Sequence, residues 1–188
     1  MKRIFDIVAA IVLSVLLSIP MLLIALLVKL TSKGPVLYWS DRVGINNRIF
    51  TMPKFRTMQV GAPLVAKHLL ERPDQYLTPI GPVLRRFGLD EFPQLWSVLK
   101  GDMSFVGPRP ALFNQYDLIE LRTKKGIHML VPGVTGWAQV KGNGDPPIPV
   151  KIEFDDYYLH HRSFLFDIKI LFMTISKVIK GSGTHRFQ

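Results

Sequence analysis

Residues 89–110 read LDEFPQLWSVLKGDMSFVGPRP. Phe92, Leu95, Trp96 and Leu99 recur at helical spacing, and Gly101 follows as a natural stop. Pro93 fits such a helix in its first turn, where its missing N–H would have had no partner. Asp90 and Glu91 therefore fall at or beside the helix N-terminus, where unpaired N–H groups and the positive dipole end favour negative charge. Asp90 alone could be an ordinary N-cap. A cap has no use for Glu91 beside it, Arg85 and Arg86 just upstream, or Arg109 held between Pro108 and Pro110. Paired carboxylates near a fixed cation suit metal-assisted phosphoryl chemistry: one attacks phosphorus or binds Mg²⁺, the other completes the metal shell, and the arginine grips phosphate oxygens bidentately.

Towards the N-terminus, Ile4 to Val28 is apolar apart from Asp6, Ser14, Ser18 and Pro20. About 20 apolar residues can cross a bilayer as a helix. The run is too long for a signal-peptide core, and no small-x-small cleavage site follows it. Pro20 removes a backbone hydrogen bond near the middle and should kink the helix, with Ser18 placed to re-satisfy freed backbone groups. Lys2 and Arg3 precede the run and Lys29 and Lys33 follow it, a pattern the positive-inside rule puts on one side of the membrane. A helix broken at Pro20 that dips in and returns satisfies both pairs. A kinked ordinary transmembrane helix is the competing reading. Residues 1–34 thus read as a re-entrant membrane segment and 35–188 as a domain on the membrane face, long enough to bury its own core.

Composition agrees. The 188 residues carry 24 Lys+Arg against 14 Asp+Glu, a net charge of +10. A pI near 10.0 with a mean hydropathy of +0.21 describes a chain both cationic and greasy, better suited to a membrane surface than to DNA. The absence of cysteine excludes disulfides and thiolate metal sites.

The expected fold is α+β and mainly helical. Val36 to Trp39 and Arg48 to Met52 read as strands of a small β-hairpin around a Gly44-Ile45-Asn46-Asn47 turn. Lys54-Phe55-Arg56-Thr57-Met58 follows, with Lys54 or Arg56 a candidate to face phosphate. Short helices are expected at Val65 to Leu70 and Leu112 to Leu121. Pro132 to Gln139 reads as a turn into a strand, Lys141 to Pro147 as a loop, and Glu153, Asp155 and Asp156 as the start of a helix. His160 and His161 lack a third ligand at metal spacing and read as solvated. Phe164 to Ile179, broken only by Asp167, Lys169, Ser176 and Lys177, reads as an amphipathic helix in the headgroup region, or else a core helix.

In order along nearly the whole chain, several motifs resemble the bacterial sugar transferase family of small monotopic polyprenyl-phosphate phosphoglycosyl transferases. They are Lys2-Arg3-x-x-Asp6, the apolar hairpin with its proline, Arg42-x-Gly44, Lys54 to Met58, Leu89-Asp90-Glu91-x-Pro93-Gln94-Leu95, Gly101 to Pro110, Pro132-Gly133-x-Thr135-Gly136 and Asp155-x-x-Tyr158. The resemblance implies an enzyme of the bacterial inner membrane with its active site on the cytoplasmic face. It would transfer a phospho-sugar from a UDP-sugar to a polyprenyl phosphate such as undecaprenyl phosphate, releasing UMP, in the first membrane step of bacterial glycan assembly, of a polysaccharide or lipopolysaccharide. It implies Asp90 as covalent nucleophile, a requirement for Mg²⁺, which Asp90 and Glu91 would hold, and phosphate held by Arg109 and Lys54; Arg85 and Arg86, beside the dyad in sequence, are further candidates to bind substrate phosphate. The lipid bilayer would be a partner, with no nucleic acid beyond the nucleotide substrate. The oligomeric state is left open, a homodimer being one option. The chain departs from the family at Gly142-Asn143-Gly144, where many members read Gly-Arg-Asn, and at Phe92, where Leu is common.

The alternative from another class is a membrane-tethered basic protein that binds nucleic acid or acts as a scaffold without catalysis. It has no need of the Asp90-Glu91-Arg109 constellation.

Overall fold

The computed structural model describes residues 1–63, 73–142 and 146–179. The expected helix from Val65 to Leu70 lies outside the described residues, as does part of the Lys141 to Pro147 loop. The architecture is mainly helical with a small antiparallel hairpin. Two apolar helices lead, α1 (Lys2–Leu16) and α2 (Ser18–Thr31). No single helix among the described residues is long and apolar enough to cross a membrane, but this pair, bent by 62°, passes that test together. The break falls at Leu17, not at the expected Pro20, which lies inside the first turn of α2. A proline ring collides with the carbonyl four residues earlier, here Leu16, so its effect appears one turn upstream. Ser18 Oγ donates to the Val15 carbonyl at 2.7 Å, one residue before the Leu16 carbonyl that Pro20 leaves without its N–H.

Both helices present one face to the rest of the chain. Ala10 joins Met52, Leu95, Val98 and Met103 in one apolar cluster, and Ile24 and Val28 join Phe55 and Leu84 in another. The opposite face leaves Ile4, Val8, Val15, Ile19, Leu22 and Leu30 exposed. The charged N-terminus does more than flank the apolar run. Arg3 donates to the Val98 and Leu99 carbonyls at 2.6 and 2.8 Å, satisfying groups at the C-terminal end of the helix from Leu95 to Lys100. Asp6 accepts from the Phe105 N–H, and Lys2 reaches the Val106 carbonyl, Tyr158 and Asp167.

The hairpin pairs β1 (Leu37–Val43) with β2 (Ile49–Phe55), both longer than expected. Its turn is the expected one, with Asn46 and Asn47 at φ 53° and 59°, a region asparagine tolerates better than most residues. Helix α3 (Gly81–Phe87) ends at Gly88, and a 3₁₀ segment from Leu89 to Gln94 leads into α4 (Leu95–Lys100), closed by Gly101 at φ 95°. Pro93 therefore sits in the 3₁₀ approach, not in the first turn of α4.

Strand β3 (Ser104–Val106) pairs in parallel with β4 (Gly133–Thr135), a two-stranded ladder the sequence did not suggest. The missing side chains of Gly133 and Gly136 make the close approach possible: a Cβ on Gly133 would lie 2.1 Å from the Gly107 nitrogen, and one on Gly136 2.1 Å from the Gly107 oxygen. After β4 the chain enters α6 (Trp137–Lys141), so the expected turn into a strand is a strand followed by a helix. Helix α5 (Tyr116–Lys124) starts later than expected because Leu112 bridges to Arg42. Helix α7 (Ile148–His161) carries Glu153, Asp155 and Asp156 in its interior rather than at its start, since Pro147 caps it earlier. Helix α8 (Phe164–Ile179) has the expected bounds, buries Asp167 and Ile170, and exposes Leu165, Phe172, Ile175 and Ile179. With α5, α7 and β3 it encloses the largest apolar cluster, built on Leu118, Ile152 and Ile170.

Candidate active site

The two carboxylates of the 89–110 stretch lie in the first turn of the 3₁₀ segment. Asp90 is not the N-cap; Gly88 holds that position at φ 67°, and no side chain caps the segment. A 3₁₀ segment running into a six-residue helix also provides little macrodipole. The positive charge comes instead from side chains on three different elements.

Strand β2 supplies Lys54, whose Nζ donates to Glu91 Oε1 at 3.1 Å. The loop after β3 supplies Arg109, whose Nη2 donates to the same oxygen at 2.5 Å. Helix α3 supplies Arg85, which bears electrostatically on Asp90 while its Nε donates to Thr57 Oγ1 at 2.9 Å. Arg86 points elsewhere: it is exposed, with its guanidinium over the ring of Phe87. Arg56, the other candidate in its motif, donates to the Pro35 carbonyl at 2.8 Å. The structure thus gathers Asp90, Glu91, Lys54, Arg109 and Arg85, and leaves Arg86 and Arg56 outside the group.

Glu91 is engaged by two cations, whereas one oxygen of Asp90 has no hydrogen-bond partner. Asp90 is only 4% exposed, and its Oδ1 is buried with no hydrogen-bond partner. Burial pushes its carboxyl up from 3.8 to about 6, with Glu91 adding repulsion and Lys54, Arg85 and Arg109 opposing the rise. Burial also lowers the Lys54 ammonium, an effect Glu91 partly offsets. A buried carboxylate oxygen left without a partner beside three cations is a costly arrangement for a structural residue. It suits a group held ready to meet a ligand.

Arg42, which the sequence placed only in an unexplained motif, belongs here as well. Its Nε donates to Ser40 Oγ at 3.0 Å and its Nη1 to the Pro110 carbonyl at 3.2 Å. Burial and the neighbouring Arg109 lower its guanidinium to about 10. Arg42 stands across the hairpin turn from β2, and the β1–β2 pairing together with its bridge to Leu112 brings it to the site.

The donor set can be tested against Mg²⁺. Among the described residues no group of three or more His, Cys, Asp and Glu is gathered to hold a metal. Magnesium is commonly bound through one or two carboxylates plus substrate phosphates and waters. Asp90, with its unpartnered Oδ1, and neighbouring Glu91 fit that mode. His160 and His161 are exposed on α7, with each Nδ1 bonded within the helix to a backbone carbonyl.

A family model described as bacterial sugar transferase matches residues 1–181. The chain is 39% identical over 97% of its length to a UDP-N-acetylgalactosamine-undecaprenyl-phosphate N-acetylgalactosaminephosphotransferase of Aeromonas hydrophila. It is 40% identical over 94% of its length to a UDP-glucose:undecaprenyl-phosphate glucose-1-phosphate transferase of Escherichia coli. It spans 44% of the first of these relatives and 40% of the second. The uncharacterized sugar transferase EpsL of Bacillus subtilis, 40% identical, is matched over 89% of its own length.

Proposed function

The chain belongs to the bacterial sugar transferase family, and from that premise we propose that it transfers a phospho-sugar from a UDP-sugar to undecaprenyl phosphate or a similar polyprenyl phosphate. The observation that carries the proposal is Asp90: buried, unpartnered at Oδ1, and flanked by Lys54, Arg85 and Arg109. In this reading an ionised Asp90 oxygen attacks the phosphorus that bears the sugar. The bond to the bridging oxygen breaks, UMP leaves with that electron pair, and a phosphoryl-aspartate forms. An oxygen of the polyprenyl phosphate then attacks the same phosphorus and releases Asp90.

Two steps replace one difficult encounter between bulky anions. Arg109 grips phosphate oxygens, and Lys54 shares the neutralisation of Glu91 and the incoming diphosphate. Mg²⁺ held by Asp90 and Glu91 would supply charge neutralisation at the diphosphate. The relatives' names include N-acetylgalactosamine, glucose and galactose at 39%, 40% and 35% identity, so overall likeness does not choose the sugar.

A lipid-linked acceptor and a nucleotide-sugar donor together support a seat at the cytoplasmic face of the inner membrane. The continuous apolar faces of α1 and α2, bent at Leu17, support a re-entrant seat for residues 1–34 in the bilayer. The exposed apolar residues of α8 support a place for that helix at the headgroups. A nucleic-acid or scaffold role explains neither the bent apolar pair nor an unpartnered Asp90.

The test is enzyme given UDP-sugar and Mg²⁺ without lipid acceptor. It should release UMP in a burst no larger than the enzyme present and gain the mass of one phospho-sugar on the peptide containing Asp90. UMP release that requires both substrates together, with no adduct, would replace this mechanism by direct transfer. The membrane seat is checked separately with single cysteines at positions 2 and 33. Labelling of either by an impermeant maleimide from outside intact cells would sink it.

A further inference from the structure

The Pro108-Arg109-Pro110 segment presents an unusual anchoring problem. Neither proline has an N–H, so the segment cannot be fixed through donors of its own at those positions. The structure fixes it through acceptors, and all three successive carbonyls are used. Gly133 N–H donates to Pro108 O at 3.0 Å. Arg122 Nη1 donates to Arg109 O at 2.8 Å, and Arg42 Nη1 donates to Pro110 O at 3.2 Å.

Arg122 is the more deeply set of the two arginine donors. It comes from α5, is 8% exposed, and is clamped along its other edge by Asp155 of α7, itself 1% exposed. Its Nε and Nη2 donate to Asp155 Oδ2 at 3.0 and 2.6 Å. One edge of the guanidinium is thus locked to a buried carboxylate, and the other points at the backbone of the residue that grips phosphate. A pair that served only to join α5 to α7 would not need that third bond.

We propose that Arg122, clamped by Asp155, is a positioning residue for Arg109, fixing the Arg109 backbone so that its guanidinium meets the substrate phosphate in one orientation. This rests on the reading of Arg109 as the phosphate grip. It assigns a role in turnover to two buried residues outside the Asp90 site. Positional error of about 1 Å in a catalytic group can cost a hundredfold in rate, which gives a buried pair strapped to the backbone a use in turnover.

The experiment removes the strap without leaving a buried charge. The double variant R122M/D155L replaces an ion pair by apolar groups of similar size, a change often neutral for stability. With full-length protein in membranes, the readouts are thermal stability, kcat and KM for the UDP-sugar, with and without Arg109→Lys. The double variant should melt close to wild type and turn over at least about tenfold more slowly. Arg109→Lys should cost wild type about tenfold but the double variant less than about twofold, because the grip is already loose.

Wild-type turnover in the folded double variant, or the same Arg109→Lys cost in both backgrounds, would overturn the strap alone. No effect of Arg109→Lys in the wild-type background would overturn the grip itself, and this inference with it. If the double variant does not fold, Arg122→Lys decides: its ammonium can stay by Asp155 but has no second edge for the Arg109 carbonyl. A folded Arg122→Lys protein with wild-type turnover would also refute the strap.

Discussion

Two buried aspartates divide the labour of this molecule. Asp155 is 1% exposed and Asp90 is 4% exposed, so both have lost nearly all contact with solvent. Burial raises the carboxyl pKa of each. Asp155 is answered by Arg122, which donates to it twice. Asp90 has cations nearby but an oxygen with no partner, while its neighbour Glu91 takes hydrogen bonds from both Lys54 and Arg109. A fold can hold an incompletely satisfied carboxylate only where the surroundings enforce it, and such strain gathers where chemistry is done. Asp155 shows how this chain treats a carboxylate meant to stay put.

The sharpest way to break the comparison is to neutralise each aspartate in turn. Asp90→Asn should abolish phospho-sugar transfer, a loss of more than about a thousandfold, while circular dichroism stays native and the protein melts no lower than wild type. Glu91→Gln should be damaging but can keep trace activity. If Asp90→Asn retained substantial turnover, Asp90 would not be the nucleophile. Asp155→Asn should do the reverse in kind. It leaves Arg122 buried without its counter-charge, so stability should fall by about 3–5 kcal/mol in chemical denaturation. An Asp155→Asn protein as stable as wild type would mean that the pair is not the lock its geometry describes.

The two aspartates also differ in how far the sequence announced them. Asp90 was legible because its meaning is local: two adjacent carboxylates, a glycine stop after a short apolar run, and an arginine between prolines. The hairpin was legible for the same reason, through Gly44 and two asparagines. Asp155 looked like part of an acidic helix start. Its partner Arg122 sits in an unremarkable Leu-Arg-Thr stretch of α5, and only the packing of α5 against α7 joins them. Lys2, Arg3 and Asp6 were visible as a motif, but the first two read as flanking charges and Asp6 as an interruption of the apolar run. Their bonds to α4, β3 and α8 depend on tertiary contacts across most of the chain. The parallel β3–β4 pair has strands too short to show a period. The break at Leu17 was misplaced by reading a proline's effect at the proline itself rather than one turn before it.

Stability against pH sharpens the comparison further. The Asp90 pKa in the folded chain, about 6, lies above its ordinary 3.8, so the folded state holds an extra proton between those values. Its contribution is therefore most favourable below that window and is lost as pH rises through it, a cost of up to about 3 kcal/mol at neutral pH. Asp90→Asn does not ionise and escapes that cost. It should be more stable than wild type at pH 8 and nearly equal to it at pH 4, measured by urea titration. Turnover should run the other way in wild type, rising with pH through about 6 as the nucleophile ionises. A variant no more stable at pH 8 than at pH 4 relative to wild type would show that Asp90 is better solvated than its burial indicates.

The smallest expected effect separates charge from geometry at the grip. Arg109→Lys keeps a cation beside Glu91, and its side chain is only partly buried, 27% exposed in the native arginine, so the fold should barely notice the change. The lost feature is the planar fork that holds two phosphate oxygens at once while one nitrogen stays with Glu91. Turnover should fall by at least about tenfold, roughly 1.4 kcal/mol of transition-state stabilisation, with melting unchanged. If instead the melting temperature fell and turnover of the remaining folded protein were intact, Arg109 would be a structural partner of Glu91. It would then belong with the Asp155–Arg122 pair, and the phosphate grip would have to be sought at Lys54, Arg85 or Arg42.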